Sequence, residues 1–415
     1  MIILSHPLGN QNVRAALRGF KDAGLLNAFS TGIASFPGSL LYKLSNTIKP
    51  LHEINKRSFD ADLRPITYAK PGMELARLVA MKAGFTSLVA HETGILSVDK
   101  VCHDIDAFTA KLITKKKLKG LKAVYAYEDI ALETFEQAKK QGLVTLYDLP
   151  IGYWRAARTL MQGEIDQRPD WASTMVGFLD SKEKLDRKDN ELKLADHIFV
   201  ASSFTAQTLS EYPGQLSKIS IIPYGFPKVY DEKTYSNDYT KPLKVLFVGG
   251  LSQRKGIANL FEAVNHFGTH KIELTVVGRK AAEGCVPLNN GLAKCNYIPS
   301  LPHSKILELM QTQDVFIFPS LFEGFGLVIT EAMSQGLPVI TTERTIGPDI
   351  IKDKENGWIV KAGSTESIIE SLDSILNDRS QLKKCGEAAL QTARHRPWEK
   401  YGQELAQAVN AIVKK

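Results

Sequence analysis

Two glutamates flank a glycine-rich turn late in the chain. Residues 318–342 read FPSLFEGFGLVITEAMSQGLPVITT, in which Glu323 opens the turn and Glu331 follows it. A strand is predicted to end near Pro319 and a helix to begin near Leu327. Glycines let a backbone approach a ligand closely, and the first amides of a helix have no carbonyl partner within it. The segment therefore predicts an anion-binding site at a helix N-terminus.

Carboxylates on both sides of this helix start extend the chemistry to hydroxyl groups. Glu331 lies one turn beyond Leu327 on the same helix face, where its carboxylate could accept hydrogen bonds from both hydroxyls of a ribose. Glu323, in the turn itself, could reach the hydroxyls of a sugar. By residue type and spacing alone, both could equally be surface glutamates, with Glu323 favoured by the positive end of the helix dipole.

The same segment resembles the paired-glutamate motif of the family 4 glycosyltransferases, which adopt the two-domain GT-B fold. Glu323 and Glu331 stand in an EGFG…EAM…G-PVI context. The resemblance extends across most of residues 197–401, through VASSFTAQTL, IIPYGF, LFVGGLSQRKGI, VVGR, YIPSLPH, DVFIFPS, IGPDII, ENGWIV and PWEKYG. It implies a retaining enzyme that moves a sugar from a UDP- or GDP-sugar to a hydroxyl of a carbohydrate or glycolipid acceptor, in surface polysaccharide synthesis, with no metal or other cofactor.

The resemblance assigns donor-binding roles to several strand ends of the second half. Lys255 matches the family's diphosphate-binding lysine, and Arg254 is the nearest guanidinium, because Gly250 stands where the family often has an arginine. A basic pair at the start of a helix is the alternative interpretation. Lys255 and Glu323 are the catalytic candidates of this half. The remaining donor residues implied are Gly278, Arg279, Tyr297, Ile298, Gly324, Phe325, Gly326, Leu327 and Glu331.

The first half resembles the family only in outline, and we expect it to bind the acceptor. Gly9, Asn10 and Asn12 follow the first predicted strand, matching in place a loop that lies near the donor phosphates or the acceptor. An asparagine cap on the next helix is the alternative interpretation. Asp148 stands where many members have a histidine and is the third catalytic candidate, either as a hydrogen-bond partner or as a proton acceptor.

The residues after Asp148 carry a second acceptor hypothesis. Tyr153 and Arg155, in IGYWRAARTL, could contact a sugar or an anionic acceptor, although a helix that packs its tryptophan inward explains the pattern equally. Three other pairs of the first half compete with Asp148 for its role. They are His91 with Glu92, His103 with Asp104, and Glu128 with Asp129.

These residues need a scaffold of strands and helices, and short apolar runs alternate with helical patterns along the whole chain. The pattern predicts an α/β protein of GT-B type, with two doubly wound Rossmann-like domains facing across a cleft. We place the first domain at 1–222, completed by a helix at 397–415, and the second at 243–396, with a proline- and tyrosine-rich linker at 223–242. In such sheets, ligands bind beyond the carboxyl ends of the strands. Strands are predicted at 2–7, 122–127, 143–149, 197–202, 243–250, 272–278, 314–320 and 337–342.

The positive charge of the chain is concentrated in its first part. Of the formal net charge of +7, residues 1–150 carry +6, from 20 Lys and Arg against 14 Asp and Glu. The lysines of KKKLKGLK predict either a solvated surface or contact with anionic lipid headgroups. No aromatic residues are interleaved for base stacking, which argues against nucleic acid. The run comprises Lys115, Lys116, Lys117, Lys119 and Lys122.

Targeting and cysteine patterns give a further expectation. No apolar run is long enough to cross a bilayer, and the N-terminus lacks the pattern of a signal peptide. The four cysteines lack metal-ligand spacing, so we expect free thiols in a reducing compartment and no metal site. We therefore expect a cytoplasmic protein, with peripheral contact on the inner face of the cytoplasmic membrane.

Two other functions fit the same fold. A nucleotide-sugar 2-epimerase would bind a similar donor without an acceptor, but the motif EGFGLVITEAM favours a transferase. A non-catalytic partner that binds sugar nucleotides is the other alternative, because the family's usual arginine and histidine are replaced by Gly250 and Asp148.

Overall fold

A computed structural model describes residues 1–47, 49–115, 118, 120–175 and 180–414. Within these residues the chain forms two parallel β-sheets, each covered by helices on both faces. The predicted α/β class with two doubly wound domains is confirmed. The first sheet contains β1 (Ile2–Ser5), β2 (Leu26–Thr31), β3 (Thr67–Ala69), β4 (Ala123–Tyr127), β5 (Val144–Leu149), β6 (His197–Val200) and β7 (Lys218–Ile221). The second contains β8 (Leu243–Val248), β9 (Ile272–Val277), β10 (Asn296–Ile298), β11 (Val315–Phe318), β12 (Val339–Thr342) and β13 (Trp358–Val360).

The helices follow the strands in both halves of the chain. Those of the first half are α1 (Gln11–Asp22), α2 (Leu40–Thr47), α3 (Gly72–Lys82), α4 (Val98–Ile113), α5 (Leu132–Lys140), α6 (Trp154–Gln167), α7 (Lys182–Leu194) and α8 (Ser203–Thr208). Those of the second are α9 (Ile257–Phe267), α10 (Val286–Leu292), α11 (His303–Gln311), α12 (Leu327–Ser334), α13 (Gly347–Ile350), α14 (Thr365–Asn377), α15 (Ser380–Arg394) and α16 (Trp398–Val413).

Both sheets have the strand order of dinucleotide-binding folds. The first runs β3-β2-β1-β4-β5-β6-β7 and the second β10-β9-β8-β11-β12-β13. In each sheet the order reverses beside the first strand, β1 or β8, and crevices for ligands open at that point. The central strands are buried on both faces, as expected for parallel sheets sandwiched between helices.

Five strands are absent from the sequence-based prediction: β2, β3, β7, β10 and β13. Four of them lie at the edges of the sheets, and three contain only three residues. Edge strands are partly exposed and therefore lack a continuous apolar run. The fifth, β2, reads LNAFST, so asparagine, serine and threonine interrupt its apolar pattern.

The helix α16 crosses from the second domain back onto α1 of the first. The two helices approach closely at a pair of glycines, Gly19 and Gly402. A Cβ atom on Gly19 would lie 2.1 Å from the carbonyl oxygen of Gly402, and one on Gly402 would lie 2.5 Å from the carbonyl oxygen of Ala15. Only glycine at these positions allows the two backbones to approach this closely.

We expect Gly19→Ala to lower the free energy of unfolding by about 2 kcal/mol, because the added methyl group must push α16 away from α1. Thermal or denaturant unfolding measures the change. Gly163→Ala in α6 is the matched control, since a Cβ atom there meets nothing within 4 Å. The control should be neutral or stabilising by up to about 1 kcal/mol. Equal effects of the two substitutions would contradict the close helix crossing.

A segment of the first half makes the opposite crossing. The end of α6 and the 3₁₀ turn Pro169–Thr174 pack against the second domain, where Arg168 forms a bidentate ion pair with Glu262 and the Trp171 ring lies 6.4 Å from that of Phe261. The two halves of the chain therefore exchange segments, α16 in one direction and the end of α6 in the other.

Candidate functional site

The carboxyl ends of the two sheets meet at the glycine-rich turn after β11. The carbonyl oxygen of Gly324 accepts hydrogen bonds from the hydroxyls of Ser202 and Thr205, at 2.6 and 2.9 Å, in the loop and helix after β6. A Cβ atom on Gly324 would lie 2.1 Å from the carbonyl oxygen of Pro150 and 2.5 Å from Cα of Ile151, in the loop after β5. Loops of the first domain thus touch the turn that carries Glu323.

The basic pair predicted from the sequence lies in a 3₁₀ turn after β8. This turn, Gln253–Lys255, ends at Gly256, whose φ of 71° lies in the left-handed region that glycine favours. A Cβ atom on Gly256 would lie 2.0 Å from the carbonyl oxygen of Pro319. The turn therefore packs directly against the end of β11, next to the glutamate-bearing loop.

The ammonium group of Lys255 contacts the carboxylate of Glu323. It also lies 5.0 Å from the centroid of the Phe318 ring, within cation–π range. Burial, followed by the charge of Arg254, lowers the pKa of Lys255 well below its usual range. A phosphate bound here would counteract both effects, because an anion favours the charged ammonium. The structure thus brings two of the three catalytic candidates into contact.

Arg254 points toward the same carboxylate. One of its guanidinium nitrogens lies 3.7 Å from Glu323 and donates a 2.7 Å hydrogen bond to the carbonyl oxygen of Phe322. Burial lowers the pKa of Arg254, although a guanidinium remains protonated at neutral pH. Two cations therefore flank Glu323.

The helix α12 begins directly after this cluster. Gly326 is its N-cap residue with φ 89°, a left-handed conformation, and its carbonyl accepts a hydrogen bond from the amide of Ile329. The amides of Leu327 and Val328 precede the first regular helical bond of α12. Together with Arg254 and Lys255 they form a concentration of positive potential suited to an anionic group.

Glu331 lies on the first turns of α12 and binds His303. Its carboxylate is 2.9 Å from Nε2 of His303, at the start of α11, and this hydrogen bond raises the pKa of His303. The glutamate side chain is mostly buried, whereas that of His303 is mostly exposed. His303 was not predicted as a site residue, although it ends the YIPSLPH segment.

The ends of β8, β9 and β10 form a wall beside the turn Gln253–Lys255. The amide of Gly278 donates a 3.0 Å hydrogen bond to the carbonyl of Ile298, and a Cβ atom on Gly278 would lie 1.8 Å from the carbonyl oxygen of Gly249. The side chain of Arg279 is exposed, while Tyr297 and Ile298 are half-buried. These predicted residues therefore lie together at one edge of the second sheet.

The turn Gln253–Lys255 is held in place by residues that the sequence analysis did not predict. The side-chain amide of the buried Gln253 donates to Glu164 and Asn259, at 2.6 and 2.8 Å. The backbone amide of Gln253 donates to the hydroxyl of Thr174 at 3.0 Å. Glu164 and Thr174 belong to the segment that crosses from the first half of the chain, so this segment fixes the turn that carries Arg254 and Lys255.

The predicted first-domain loop lies after β1. A Cβ atom on Gly9 would lie 2.5 Å from the Phe59 ring, so the loop packs tightly there. Asn10 is exposed at the N-cap position of α1 but makes no side-chain capping bond. Asn12 is buried, and its amide lies 3.4 Å from the hydroxyl of Tyr224.

Tyr224 links this loop to the donor-side turn. Its ring centroid lies 4.8 Å from that of Phe325, one of the residues predicted to bind the donor. The chain of contacts from Asn12 through Tyr224 to Phe325 crosses from the first domain to the second.

Asp148 is buried inside the first domain rather than exposed on the cleft. The residue is 3% exposed, and its carboxylate accepts a hydrogen bond from the hydroxyl of Tyr125. Burial raises the pKa of Asp148 to about 7, although the hydrogen bond from Tyr125 acts in the opposite direction. Two residues further on, Pro150 touches the glycine-rich turn, so Asp148 supports a loop that contacts the site.

The raised pKa gives a pH-dependent prediction for Asp148→Asn. An unfolded aspartate has a pKa of about 3.8, so between that value and about 7 the folded chain holds a proton that the unfolded chain has lost. Stability conferred at this position therefore falls as the pH rises through this window. Asparagine does not titrate, so the change in the free energy of unfolding caused by Asp148→Asn should be more stabilising at pH 8 than at pH 4, by roughly 1–3 kcal/mol. Denaturant unfolding at both pH values measures this, and equal effects would contradict it.

Tyr153 and Arg155 are engaged by α7 rather than directed to the glycine-rich turn. The hydroxyl of Tyr153 and the guanidinium of Arg155 bind the two carboxylate oxygens of Asp189, at 2.7 and 2.6 Å. Arg155 also stacks over the ring of Trp154, 4.1 Å from its centroid. Both side chains are therefore held within the first domain, which favours the alternative of a packed helix, and their acceptor role stays a prediction.

The pairs that competed with Asp148 have partners of their own. Glu128 binds Lys188 at 2.9 Å within the first domain, and Asp104 forms an ion pair with Lys70. His91 and Glu92 meet Asp180 in the sole group of potential metal ligands found among the described residues. Lys184 also binds Asp180, at 3.0 Å, so a cation already occupies this acidic group.

Lys122, the last lysine of the run, lies at the amino end of β4, whereas the site lies at the carboxyl ends of the strands. Lys122 precedes β4, and its amide donates to the carbonyl of Met1. Lys115 and Lys122 are exposed, whereas Lys116, Lys117 and Lys119 lie outside the described residues. Across the parts of the chain that the structure covers, no helix combines the length and apolar character that a bilayer crossing requires.

Comparison with known proteins finds a family match in the second domain. Residues 231–392 match the family described as "Glycosyl transferases group 1". The capsular polysaccharide biosynthesis glycosyltransferase CapM of Staphylococcus aureus is 26% identical over 207 residues, which is 46% of this chain. The match spans about half of that relative, 54% of its length.

Solved structures resemble the whole described chain in fold. Sucrose-phosphate synthase from Thermosynechococcus elongatus matches with a TM-score of 0.65 and 16% identity, covering 100% of this chain and 99% of that one. Anabaena HepE in complex with UDP and glucose matches with a TM-score of 0.63 and 14% identity, covering 99% of each chain. At these identities the likeness establishes the two-domain architecture.

Proposed function

Because its second domain belongs to the group 1 glycosyl transferases, we propose that this protein transfers a sugar from a nucleoside-diphosphate sugar to a hydroxyl of an acceptor. The observation that carries the proposal is the contact of Lys255 with Glu323 beside the N-terminus of α12, where the two domains meet. A glycosyl transfer needs stabilisation of a departing diphosphate and a holder for the sugar, and this cluster supplies cations, amides and a carboxylate.

In this proposal the second domain binds the donor. Lys255, Arg254 and the first amides of α12 bind the diphosphate, while Glu323 binds sugar hydroxyls. Glu331 accepts hydrogen bonds from the ribose once it exchanges His303 for the nucleotide. The base lies against Tyr297 and Ile298. UDP is the first nucleotide to test, since HepE binds it, and GDP is the second.

The proposed chemistry proceeds with retention of configuration and without a metal. The bond between the anomeric carbon and the diphosphate oxygen breaks, and negative charge grows on the diphosphate next to Lys255 and Arg254. The acceptor hydroxyl then forms the new bond on the same face of the sugar, and its proton passes to a diphosphate oxygen. Positive side chains and helix amides supply the electrostatic stabilisation that a metal ion gives elsewhere.

The acceptor is proposed to be a carbohydrate or glycolipid hydroxyl, presented by first-domain loops. These are the loops after β1 and β5, because both reach the glycine-rich turn, through Tyr224 and Pro150 respectively. A role in polysaccharide synthesis follows the relationship to CapM, whose name describes capsular polysaccharide biosynthesis.

Mass-detected transfer from a panel of UDP- and GDP-sugars to glycan and glycolipid acceptors tests the proposal. Transfer that retains the anomeric configuration in the product supports it. Proton NMR of each donor with the protein alone separates the epimerase alternative, which would produce a new epimer without an acceptor. Absence of both transfer and donor hydrolysis across the panel would contradict the assignment.

A ribose contact predicts a selective loss of affinity in Glu331→Gln. We expect its Kd for UDP to rise at least about tenfold, because a charged acceptor of two hydrogen bonds is lost. Affinity for inorganic pyrophosphate, which has no ribose, should stay within about twofold. Calorimetry measures both ligands, and Glu308→Gln on α11 is the control for a surface glutamate paired with lysine. Equal losses for UDP and pyrophosphate would exclude a ribose contact.

A further inference from the structure

A buried glutamine anchors the turn that carries Lys255. Gln253 begins this 3₁₀ turn and is completely buried, at 0% exposure. Its side-chain nitrogen donates to Glu164 and Asn259, and its side-chain oxygen accepts a 2.8 Å hydrogen bond from the amide of Ala258, in the first turn of α9. Both N–H groups and the oxygen of the side chain are therefore engaged.

A closed ring of hydrogen bonds and ion pairs runs through this glutamine. Asn259 donates to the hydroxyl of Thr365 at 3.1 Å, and that hydroxyl donates to Glu262 at 2.7 Å. Glu262 accepts the bidentate bonds of Arg168, whose Nε lies 3.2 Å from the carboxylate of Glu164. Because the ring closes on itself, each member is held from two sides. We call it the polar ring, and its members in order are Glu164, Gln253, Asn259, Thr365, Glu262 and Arg168.

The polar ring joins the end of α6 to the starts of α9 and α14. The helix α6 has 14 residues and is therefore about 20 Å long. Its other end is held to the first domain by Asp189 of α7, which binds Tyr153 and Arg155. The turn Gln253–Lys255 is thus positioned by α6, from the first half of the chain, as well as by β8.

The turn itself supplies few bonds that could hold its lysine. The amide of Lys255 donates to the carbonyl of Ser252 at 2.9 Å, and the amide of Gly256 donates to that of Gln253 at 2.8 Å. Hydrogen bonds of 3₁₀ turns have poorer geometry than those of α-helices. A turn this short depends on outside contacts for its position, and a displacement of about 1 Å in a catalytic arrangement costs about a hundredfold in rate.

We propose that Gln253 is a positioning residue, which holds the ammonium group of Lys255 where the donor diphosphate binds. Its side chain acts through the turn and does not touch the donor. The inference rests on the proposed function, because it takes Lys255 to be the diphosphate ligand. It adds that the first half of the chain builds part of the donor site, through Glu164.

Gln253→Met and Asn356→Leu form a matched pair of variants. Each removes a buried side-chain amide with three hydrogen bonds, and those of Asn356 are made with Ile350, Thr392 and Lys352. Asn356 lies before the amino end of β13, whereas the site lies at the carboxyl ends of the strands. We expect Gln253→Met to raise the Kd for inorganic pyrophosphate and to lower kcat for transfer, each at least about tenfold. Asn356→Leu should stay within about twofold of wild type in both calorimetry and kinetics, since it displaces no group of the site.

A double-mutant cycle shows whether Gln253 acts through Lys255. Once Lys255→Met has removed the ammonium group, adding Gln253→Met should change the Kd for pyrophosphate by less than about threefold, because no charge is left to position. A glutamine that served only the stability of the fold would have the same effect on affinity with or without the lysine.

Two substitutions of Glu164 test the polar ring by a second route, which also serves if Gln253→Met does not fold. Glu164→Gln keeps a side-chain oxygen that accepts from Gln253, so pyrophosphate affinity and kcat should stay within about threefold of wild type. Glu164→Leu removes this acceptor and should lower both at least about tenfold, as Gln253→Met does. Thermal unfolding shows whether each variant is folded.

Four outcomes would overturn the positioning role. They are wild-type affinity and kcat in folded Gln253→Met, equal losses in Asn356→Leu, an undiminished effect of Gln253→Met beside Lys255→Met, and equal losses in the two Glu164 variants. If Lys255→Met itself left pyrophosphate binding and transfer unchanged, the proposed diphosphate site would be wrong, and the positioning role with it. A large effect of Lys255→Met beside a silent Gln253→Met would refute the positioning role alone.

Discussion

Lys255→Met is expected to lower kcat for sugar transfer by about two to three orders of magnitude. The ammonium group lies next to the N-terminus of α12, where the departing diphosphate gains charge. Removing one preorganised charge or hydrogen-bond donor from such a site typically lowers kcat by this amount. Methionine preserves most of the side-chain volume, and Glu323 keeps Arg254 at 3.7 Å as a cation partner. The fold should therefore persist, as unfolding curves will show.

Lys280→Met is the matched control for that experiment. Lys280 lies in the same domain, just beyond Arg279, and pairs with the exposed Glu283. Its kcat should remain within about twofold of the wild-type value, because this lysine pairs with an exposed glutamate and not with Glu323. A Lys255→Met variant that is folded and transfers sugar at a rate within threefold of wild type would contradict the diphosphate role. Loss of transfer in this folded variant would also exclude a purely non-catalytic binding partner.

Gly324→Ala is expected to reduce kcat/KM by about a hundredfold or more. The added Cβ atom would lie 2.1 Å from the carbonyl oxygen of Pro150, so the turn must move by about 1 Å relative to the first domain. Displacements of this size in a catalytic arrangement carry losses of about that magnitude. The same movement strains the hydrogen bonds from Ser202 and Thr205 to the Gly324 carbonyl, and it shifts the adjacent Glu323.

Gly250→Ala controls for the substitution itself. This glycine lies after β8 in the same domain, and a Cβ atom there meets nothing within 4 Å. We expect wild-type kinetics from it. If Gly324→Ala were as active as Gly250→Ala, the contact between the glycine-rich turn and the Pro150 loop would not be needed for transfer.

The donor half could be predicted because its residues are close in sequence as well as in space. Glu323, Gly326 and Glu331 are positioned by one turn and one helix, so their spacing already contains most of their geometry. Lys255 is distant in sequence, but a glycine follows it at the turn between strand and helix, as the family motif requires. Local patterns of this kind can be recognised in the sequence without knowledge of the fold.

Contacts between distant segments could not be predicted in this way. The pairing of Glu331 with His303 depends on how α11 lies against α12, and no local pattern encodes that. The hydrogen bonds from Gln253 to Glu164 and Thr174 join residues more than seventy positions apart. Tyr153 and Arg155 were assigned to an acceptor because their types suit sugars, but Asp189 on α7 binds both.

The first domain was harder to predict for a related reason. Asp148 was placed correctly at the end of a strand, yet strand position does not determine whether a side chain faces solvent or core. Tyr125, on the preceding strand β4, supplies the hydrogen bond that accompanies burial of the Asp148 carboxyl group. Edge strands escaped prediction because partial exposure removes their apolar pattern.

The exchange of segments between the two halves also affects the order in which the protein can fold during synthesis. Domains generally fold as units as they leave the ribosome, the N-terminal one first. Here the surface of α1 that packs against α16 stays exposed until α16 has been synthesised. The end of α6 likewise lacks its partners until Gln253 and α9 have been synthesised. Neither half is complete when its own stretch of chain emerges. The nascent first half therefore keeps apolar surface exposed until synthesis reaches α16, and halves produced as separate polypeptides should need each other to become stable.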